Sequence, residues 1–326
     1  MSHTEYRLPA EWERQSATVL AWPHEETDWA NCLDEIRHEY LHLIDAILPR
    51  QQVILLTHPG DTSARKVLGR RARLHMVDIP FNDTWCRDYG PITLVGPESR
   101  LALDFNFDGW GGKHPAALDN RVNTQLARHH LFSRLDFRQY LFELEGGAID
   151  SDGRGTLLVN WHCMHARHSH LTRGEIEHEL HQLLNIDHVI GIDIEPMSGD
   201  DTDGHIDTLT RFISPDILVF QLQASEKRNQ QLRDQLEGLR SADGQAFELY
   251  ALPHAEDINA DLPASYANFL FVNGACLVPA FGSDHDEVAR GILADLLPDF
   301  DVRSVPAGIM IRQSGGPHCA SMHIPA

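Results

Sequence analysis

Phe142-Glu143-Leu144-Glu145-Gly146-Gly147-Ala148-Ile149, a turn at Asp150–Gly155 and Thr156-Leu157-Leu158-Val159 read as a strand, a reversal and a second strand. A helix then opens at Thr172, which with Glu175 forms a capping box, and Val189–Ile192 supplies a closing strand. Strand, strand, helix, strand is a unit too small to bury its own helix. The same unit recurs along the chain at a period of roughly 45 to 65 residues.

The first copy has Ala17–Trp22, a helix over Trp29–Leu48 and a strand at Val53–Thr57. The second runs through Leu74–Ile79, Ile92–Val95 and Leu101–Phe107 to a helix near Asn120–Leu131. The fourth has Ile206–Ile213, Ile217–Leu222, a helix over Ser225–Leu239 and Phe247–Leu252. The fifth has Asn268–Val272, an Asn273-Gly274 hairpin turn, Ala275–Pro279, a helix near Asp284–Leu297 and Val302–Val305. Side by side, five such units share one core. The expected class is α/β, with five ββαβ modules around an axis and the whole chain, 1–326, as one domain. No Gly-rich phosphate loop follows any first strand, which counts against an open nucleotide-binding sheet. In a closed ring, strand ends meet at the axis, and residues distant in sequence can become neighbours there.

The formal net charge of -21 makes nucleic acid an unsuitable partner, because phosphate binding needs a basic footprint. It favours cationic ligands. No apolar run is long enough for a membrane span. The start, Met1-Ser2-His3-Thr4-Glu5-Tyr6-Arg7, shows no secretory leader, so a cytoplasmic location is expected. Five scattered cysteines (Cys32, Cys86, Cys163, Cys276, Cys319) without a C-x-x-C pair argue against a disulfide scaffold or a zinc ribbon.

Five polar clusters stand out. Ser314-Gly315-Gly316-Pro317-His318-Cys319 holds a thiol after residues that turn tightly, although a buried inert cysteine would look the same. Trp85-Cys86-Arg87-Asp88-Tyr89-Gly90-Pro91 combines an aromatic, a guanidinium and a carboxylate, or is simply a local turn. Glu145 falls inside an apolar strand, where an ionised side chain needs partners unless it faces water. Asp200–Asp207 is the densest, and His205 and Asp207, two apart at a strand start, can share one face; the alternatives are a solvated acidic turn or a calcium loop. His162–His170 invites a metal reading but shows no element to fix ligand geometry, so a rim loop is expected. A thiol, a histidine and surplus carboxylates suggest covalent catalysis on a planar cation. Two acids beside the nucleophile would repel the oxyanion of a protease but pair well with a guanidinium.

These residues resemble the guanidino-group-modifying superfamily, and within it the agmatine deiminases grouped with bacterial peptidylarginine deiminases. The resemblance spans nearly the whole chain. It is carried by Leu8-Pro9-Ala10-Glu11-Trp12-Glu13, Ala21-Trp22-Pro23-His24, Trp85–Pro91, Phe107-Asp108-Gly109-Trp110-Gly111-Gly112-Lys113, Leu144–Gly147, Thr202–Asp207 and Ser265-Tyr266-Ala267-Asn268-Phe269. It implies the five-module propeller called a pentein. It also implies Cys319 as nucleophile, His205 as acid and then base, and Asp88 and Asp207 holding guanidinium nitrogens. Glu145 would orient His205, Asn268 would support the nucleophile, and Trp85, Trp110 and Gly111 would wall the alkyl chain. No cofactor and no metal is needed on this reading, and the partner is a small guanidino cation. Agmatine, yielding N-carbamoylputrescine for polyamine biosynthesis, is the first choice. Free L-arginine, peptidyl arginine and a non-catalytic guanidino-binding role are the alternatives. A homo-oligomer is compatible with the sequence without being required by it. One departure stands out: agmatine deiminases carry Gly-Gly-Gly-Asn-Ile-His-Cys before the nucleophile, whereas this run resembles that of arginine deiminases.

Overall fold

The computed structural model describes residues 5–326. Residues 1–4, part of the stretch read for a leader, lie outside the described residues. The described residues form five small sheets, each built from an antiparallel pair and a third strand parallel to the second. Parallel strands need a crossover. Here it is a helix in every case: Leu33–Ile47, Val122–Leu126, Arg173–Leu184, Glu226–Gly238 and Asp286–Leu296. Five ββαβ modules thus make the pentein, as the repeat predicts.

Local chemistry explains the boundaries. Thr172 accepts from the Glu175 amide and Glu175 returns the bond, so the capping box is formed. Gly274 turns the Leu270–Val272/Ala275–Ala280 hairpin with φ +68°. Ile36, Tyr40, Leu43, Ile44 and Ile47 form one buried stripe of the first crossover helix.

Four features differ from expectation. First, the first module takes its outer strand from the other end of the chain. Ser321–Pro325 pairs antiparallel with Gln15–Ala21, His323 opposite Thr18, and this closes the ring. Second, Leu74–Asp78 is not the start of the second module but a fourth strand on the first sheet, beside Gln52–Thr57. The second module closes instead with Leu135–Glu143, whose mixed exposure, including an exposed Leu141, hides the strand signal. Third, Glu145 is not inside a strand. Gly146–Ala148 forms a 3-10 turn, and the strand is only Ile149–Ser151. Fourth, His205 and Asp207 do not start a strand: Ile206–Leu209 is a helical turn, with Thr210–Ser214 following.

The last two corrections share a cause. Ahead of its first strand, each module makes a short turn at the axis: Cys86–Tyr89, Gly146–Ala148, Ile206–Leu209, the bend closed by Asn268 N to Ser265 O, and the bend closed by Ala320 N to Gly316 O. These five turns carry Asp88, Glu145, His205 with Asp207, Asn268 and Cys319.

Candidate active site

The Cys319 side chain is buried, and Asn268 holds it on two sides. Asn268 Nδ2 donates to Sγ at 3.1 Å and to Asp207 Oδ2 at 3.1 Å, while its Oδ1 accepts from the Cys319 amide at 3.3 Å. The thiol donates to Asp207 Oδ2 at 3.6 Å. Asp88 accepts from the Gly147 amide at 3.1 Å and from the Trp110 indole at 2.9 Å, and its Oδ1 lies 3.6 Å from His205 Nδ1. On the other edge of the imidazole, Nε2 is 3.8 Å from Glu145 Oε2. A Cβ on Gly147 would come within 2.6 Å of His205 Nδ1 and 2.9 Å of Asp88 Oδ1, so only glycine allows this approach.

Four buried polar atoms here lack a hydrogen-bond partner: both ring nitrogens of His205, Asp207 Oδ1 and Glu145 Oε2. Buried groups of this kind are ordinarily paired, and leaving one unpaired costs roughly 1–3 kcal/mol. Clustered carboxylate oxygens of this kind are the complement of a planar cation with several N–H donors.

A cavity of about 250 Å³ leads to Cys319 and Asp88 between Trp85 and Trp110. Trp110 adopts φ +57°, a strained conformation for an aromatic residue. Gly111 is exposed and does not line the cavity; it packs toward Arg167. Asn268 lies behind the thiol rather than on the cavity wall.

Electrostatics divide the groups. Burial, then the charges of Asp207 and Asp88, hold the Cys319 thiol well above its usual range. Burial alone would lower His205, but Asp88, with Cys163 and Glu145 adding to it, raises it well above its ordinary value, which favours the imidazolium form. Glu145 is pushed upward by burial, yet His205 and Arg167 bring it to about 2. Asp88 is raised by burial to about 6.

The His162–His170 stretch is not a loop. Trp161–Arg167 is a helix whose first turn is capped by the Asn160 side chain. Its histidines are engaged separately: His165 with the Trp161 carbonyl, His168 stacked on Phe142 with its ring centroid at 4.0 Å. What the helix gives the axis is Arg167, which donates to Glu145 Oε1 and Asp203 Oδ2, each at 2.5 Å. Among the described residues one group, Glu145, Cys163 and His205, offers three metal-ligand atoms within 4.8 Å of one another. Arg167 already pairs with that carboxylate, which disfavours a cation.

Behind the site is a second layer that sequence reasoning missed. His318 bridges Asp207 and Glu11 at 2.7 Å each. Glu11 also faces Arg87 at 3.2 Å and Arg211 at 3.3 Å, and Arg211 meets Asp150 at 3.1 Å. The available signal was arginine beside apolar strand residues, as in Thr210-Arg211-Phe212-Ile213. Burial would raise Glu11, but His318, Arg87 and Arg211 hold it well below the carboxylate range. Removing one member of such a set leaves buried charge uncompensated, so Glu11→Gln is expected to cost about 3–5 kcal/mol in urea denaturation. Because the folded pKa is depressed, this stability exists above the unfolded value of about 4.3 and is lost as pH falls through the folded one. The gap between wild type and variant should therefore narrow in acid; a constant gap would contradict the charge-based account.

The family model described as Porphyromonas-type peptidyl-arginine deiminase matches residues 7–325. An agmatine deiminase of Pseudomonas aeruginosa is 27% identical, covering 98% of this chain and 96% of its own. A cysteine-to-serine variant of the C. jejuni agmatine deiminase, solved with substrate bound, superposes with a TM-score of 0.89 at 31% identity, over 98% of this chain and 96% of that one. The agmatine deiminase of Enterococcus faecalis has a TM-score of 0.90 at 21% identity over 98% and 96%, and shares the fold. With a match of that extent, this chain belongs to the Porphyromonas-type peptidyl-arginine deiminase family.

Proposed function

We propose that the protein is a hydrolytic deiminase that converts agmatine to N-carbamoylputrescine and ammonia in the cytoplasm through a covalent adduct on Cys319. The observation that carries this is the set of unpartnered carboxylate and imidazole atoms facing one another beside a buried thiol. The matches to agmatine deiminases support the same chemistry. No helix among the described residues is long and apolar enough to cross a membrane.

Asp88 and Asp207 pair with the guanidinium nitrogens and fix the central carbon near Sγ, an advantage of position. The entering cation offsets the acids that hold the thiol protonated, and that proton leaves to solvent. The thiolate attacks the carbon, and the His205 imidazolium gives its proton to the departing nitrogen, which leaves as ammonia. The resulting S-alkylthiouronium is attacked by water, whose proton goes to His205. Collapse breaks the C–S bond, returns the thiolate and releases the ureido product after loss of its extra proton. Arg167 keeps Glu145 ionised through both steps, and Glu145 orients His205 and favours its protonated form before the first step and after the second.

The test is a panel of agmatine, L-arginine and a peptidyl arginine, assayed for ammonia and ureido product. Agmatine is expected to give the highest kcat/KM. Preference for arginine or the peptide would move the substrate assignment, and no ureido product from any of them would defeat the deiminase reading.

A further inference from the structure

Asp88 is carried by a four-residue helical turn, Cys86–Tyr89, and residues 79–85 before it belong to no helix or strand. A turn that short does not hold its own shape, because a helix repays its nucleus only over longer runs. What fixes it comes from the other end of the same module. The Asp119–Arg121 turn and the helix Val122–Leu126 that continues it grip the segment twice.

At the leading end the grip is Asp119, which is 1% exposed. Its Oδ1 accepts from the amides of Asn82 at 2.7 Å and Asp83 at 3.2 Å. The Leu118 amide returns a bond to Asn82 Oδ1 at 2.8 Å. At the trailing end buried Asn123 donates from Nδ2 to the Tyr89 carbonyl at 2.8 Å and to Asp104 Oδ1 at 2.9 Å. A brace joins the two ends, since the Tyr89 hydroxyl donates to the Asp83 carbonyl at 2.9 Å. Between them lie Trp85 and Asp88, both on the wall of the Cys319 cavity, which neither Asp119 nor Asn123 reaches. The Arg87 amide donates to the Cys319 carbonyl at 3.1 Å, so the gripped turn also bears on the nucleophile's own segment. Burial raises Asp119 to about 8 against the pull of the two amides, so below that pH it serves as a neutral acceptor. An apolar residue in its place would leave both amides without one.

We propose that Asp119 is a positioning residue of the active site: by holding the amides of Asn82 and Asp83 it fixes where the Asp88 carboxylate stands relative to Cys319. This rests on the guanidino reading, in which Asp88 pairs with the substrate cation. Asp119 acts on that cation only through Asp88.

The experiment is a double-mutant cycle on kcat/KM for whichever guanidino compound wild type turns over fastest. Asp119→Ala removes the acceptor and is expected to lower kcat/KM by about 10²-fold, the cost of misplacing a binding group by about an ångström. Asp119→Asn keeps an oxygen for the amides and should stay within about threefold of wild type. In an Asp88→Asn background the charge that Asp119 positions is already gone, so adding Asp119→Ala should cost less than about threefold more. A residue that only stabilised the fold would cost the same factor in both backgrounds. Equal factors, or an Asp119→Ala protein within about threefold of wild type, overturn the proposal while leaving the deiminase reading intact. Should Asp119→Ala not fold, Asn82→Ala takes its place in the cycle; it removes the acceptor for the Leu118 amide at a half-buried side chain, with an expected loss of about tenfold. If no guanidino compound is turned over, the deiminase reading fails instead, and the same cycle run on affinities for an inert guanidine decides the role of Asp119.

Discussion

Cys319→Ser is expected to lower ammonia release by more than about 10⁴-fold while leaving guanidine binding within about tenfold of wild type. The hydroxyl fits where the thiol sits, so the bonds from Asn268 and to Asp207 survive, but a serine beside two acids has no means of ionising. Calorimetric titration with a slowly hydrolysed guanidine separates the two effects. Ammonia release at the wild-type rate in the variant would exclude the covalent route. Binding without turnover in wild type would instead favour a protein that only holds its ligand. The thiol has a second signature. Burial and the charges of Asp207 and Asp88 keep it protonated, and a bound guanidinium cancels those charges. The pH midpoint for alkylation by a small reagent should therefore move downward when an inert guanidine is present. An unmoved midpoint would show that the cation does not assist ionisation.

How much of this was legible in the chain depends on what each segment had to do. The repeat was legible because most strands are buried on both faces and read as apolar runs, such as Val53-Ile54-Leu55-Leu56. The closing strand Leu135–Glu143 was not. It is an edge strand with three of its nine residues exposed and none buried, so its composition looks like a loop. The origin of the first module's outer strand was hidden for a different reason: pairing between residue 18 and residue 323 leaves no local trace. At the site, Asp88, Glu145, His205, Asp207, Asn268 and Cys319 meet because each lies in or beside the turn that precedes a module's first strand, whereas Trp110 and Gly111 follow a module's second strand and only Trp110 reaches the cavity. Their local geometry was misread at Glu145 and at His205–Asp207. Apolar neighbours suggested strands, but glycines at 146 and 147 and the need to reach the axis produce turns.

The supporting charges were the least legible part. Arg167 comes from a seven-residue helix with two histidines, a cysteine and a tryptophan, types with modest helix propensity, and only the fold aims it at Glu145. His318 was read as part of a turn before the thiol. In the structure it ties Asp207 to Glu11, and through Glu11 to two arginines. Long-range ion pairs of this sort follow from topology alone, so an unusual arginine in a strand can flag that a partner exists but cannot name it. The consequence for chemistry is direct. Asp207 keeps its charge despite burial because His318 stands behind it, and a cation-binding carboxylate must remain ionised to work.

His205→Asn should separate proton transfer from this background of charge. Asparagine keeps a polar group near Asp88 and Glu145 but can neither give nor accept the proton that both chemical steps require. General acid–base catalysis contributes roughly 10²–10⁴-fold, so kcat is expected to fall by about 10³-fold with a much smaller change in KM. The pH profile carries the sharper test. Because Asp88 and its neighbours raise the folded pKa of His205 well above the usual value, the imidazolium should persist to higher pH than in a free histidine and be lost as pH rises through that raised value. Wild-type kcat/KM should thus descend on the alkaline side, and the variant should lack that descent. The same sign governs stability: a raised histidine pKa contributes stability that is full below the unfolded value of about 6.5 and fades as pH rises through the folded one. Thermal melts of wild type and His205→Asn should therefore converge toward alkaline pH. A variant that keeps the alkaline descent, or loses less than about tenfold in kcat, would assign the proton to another group.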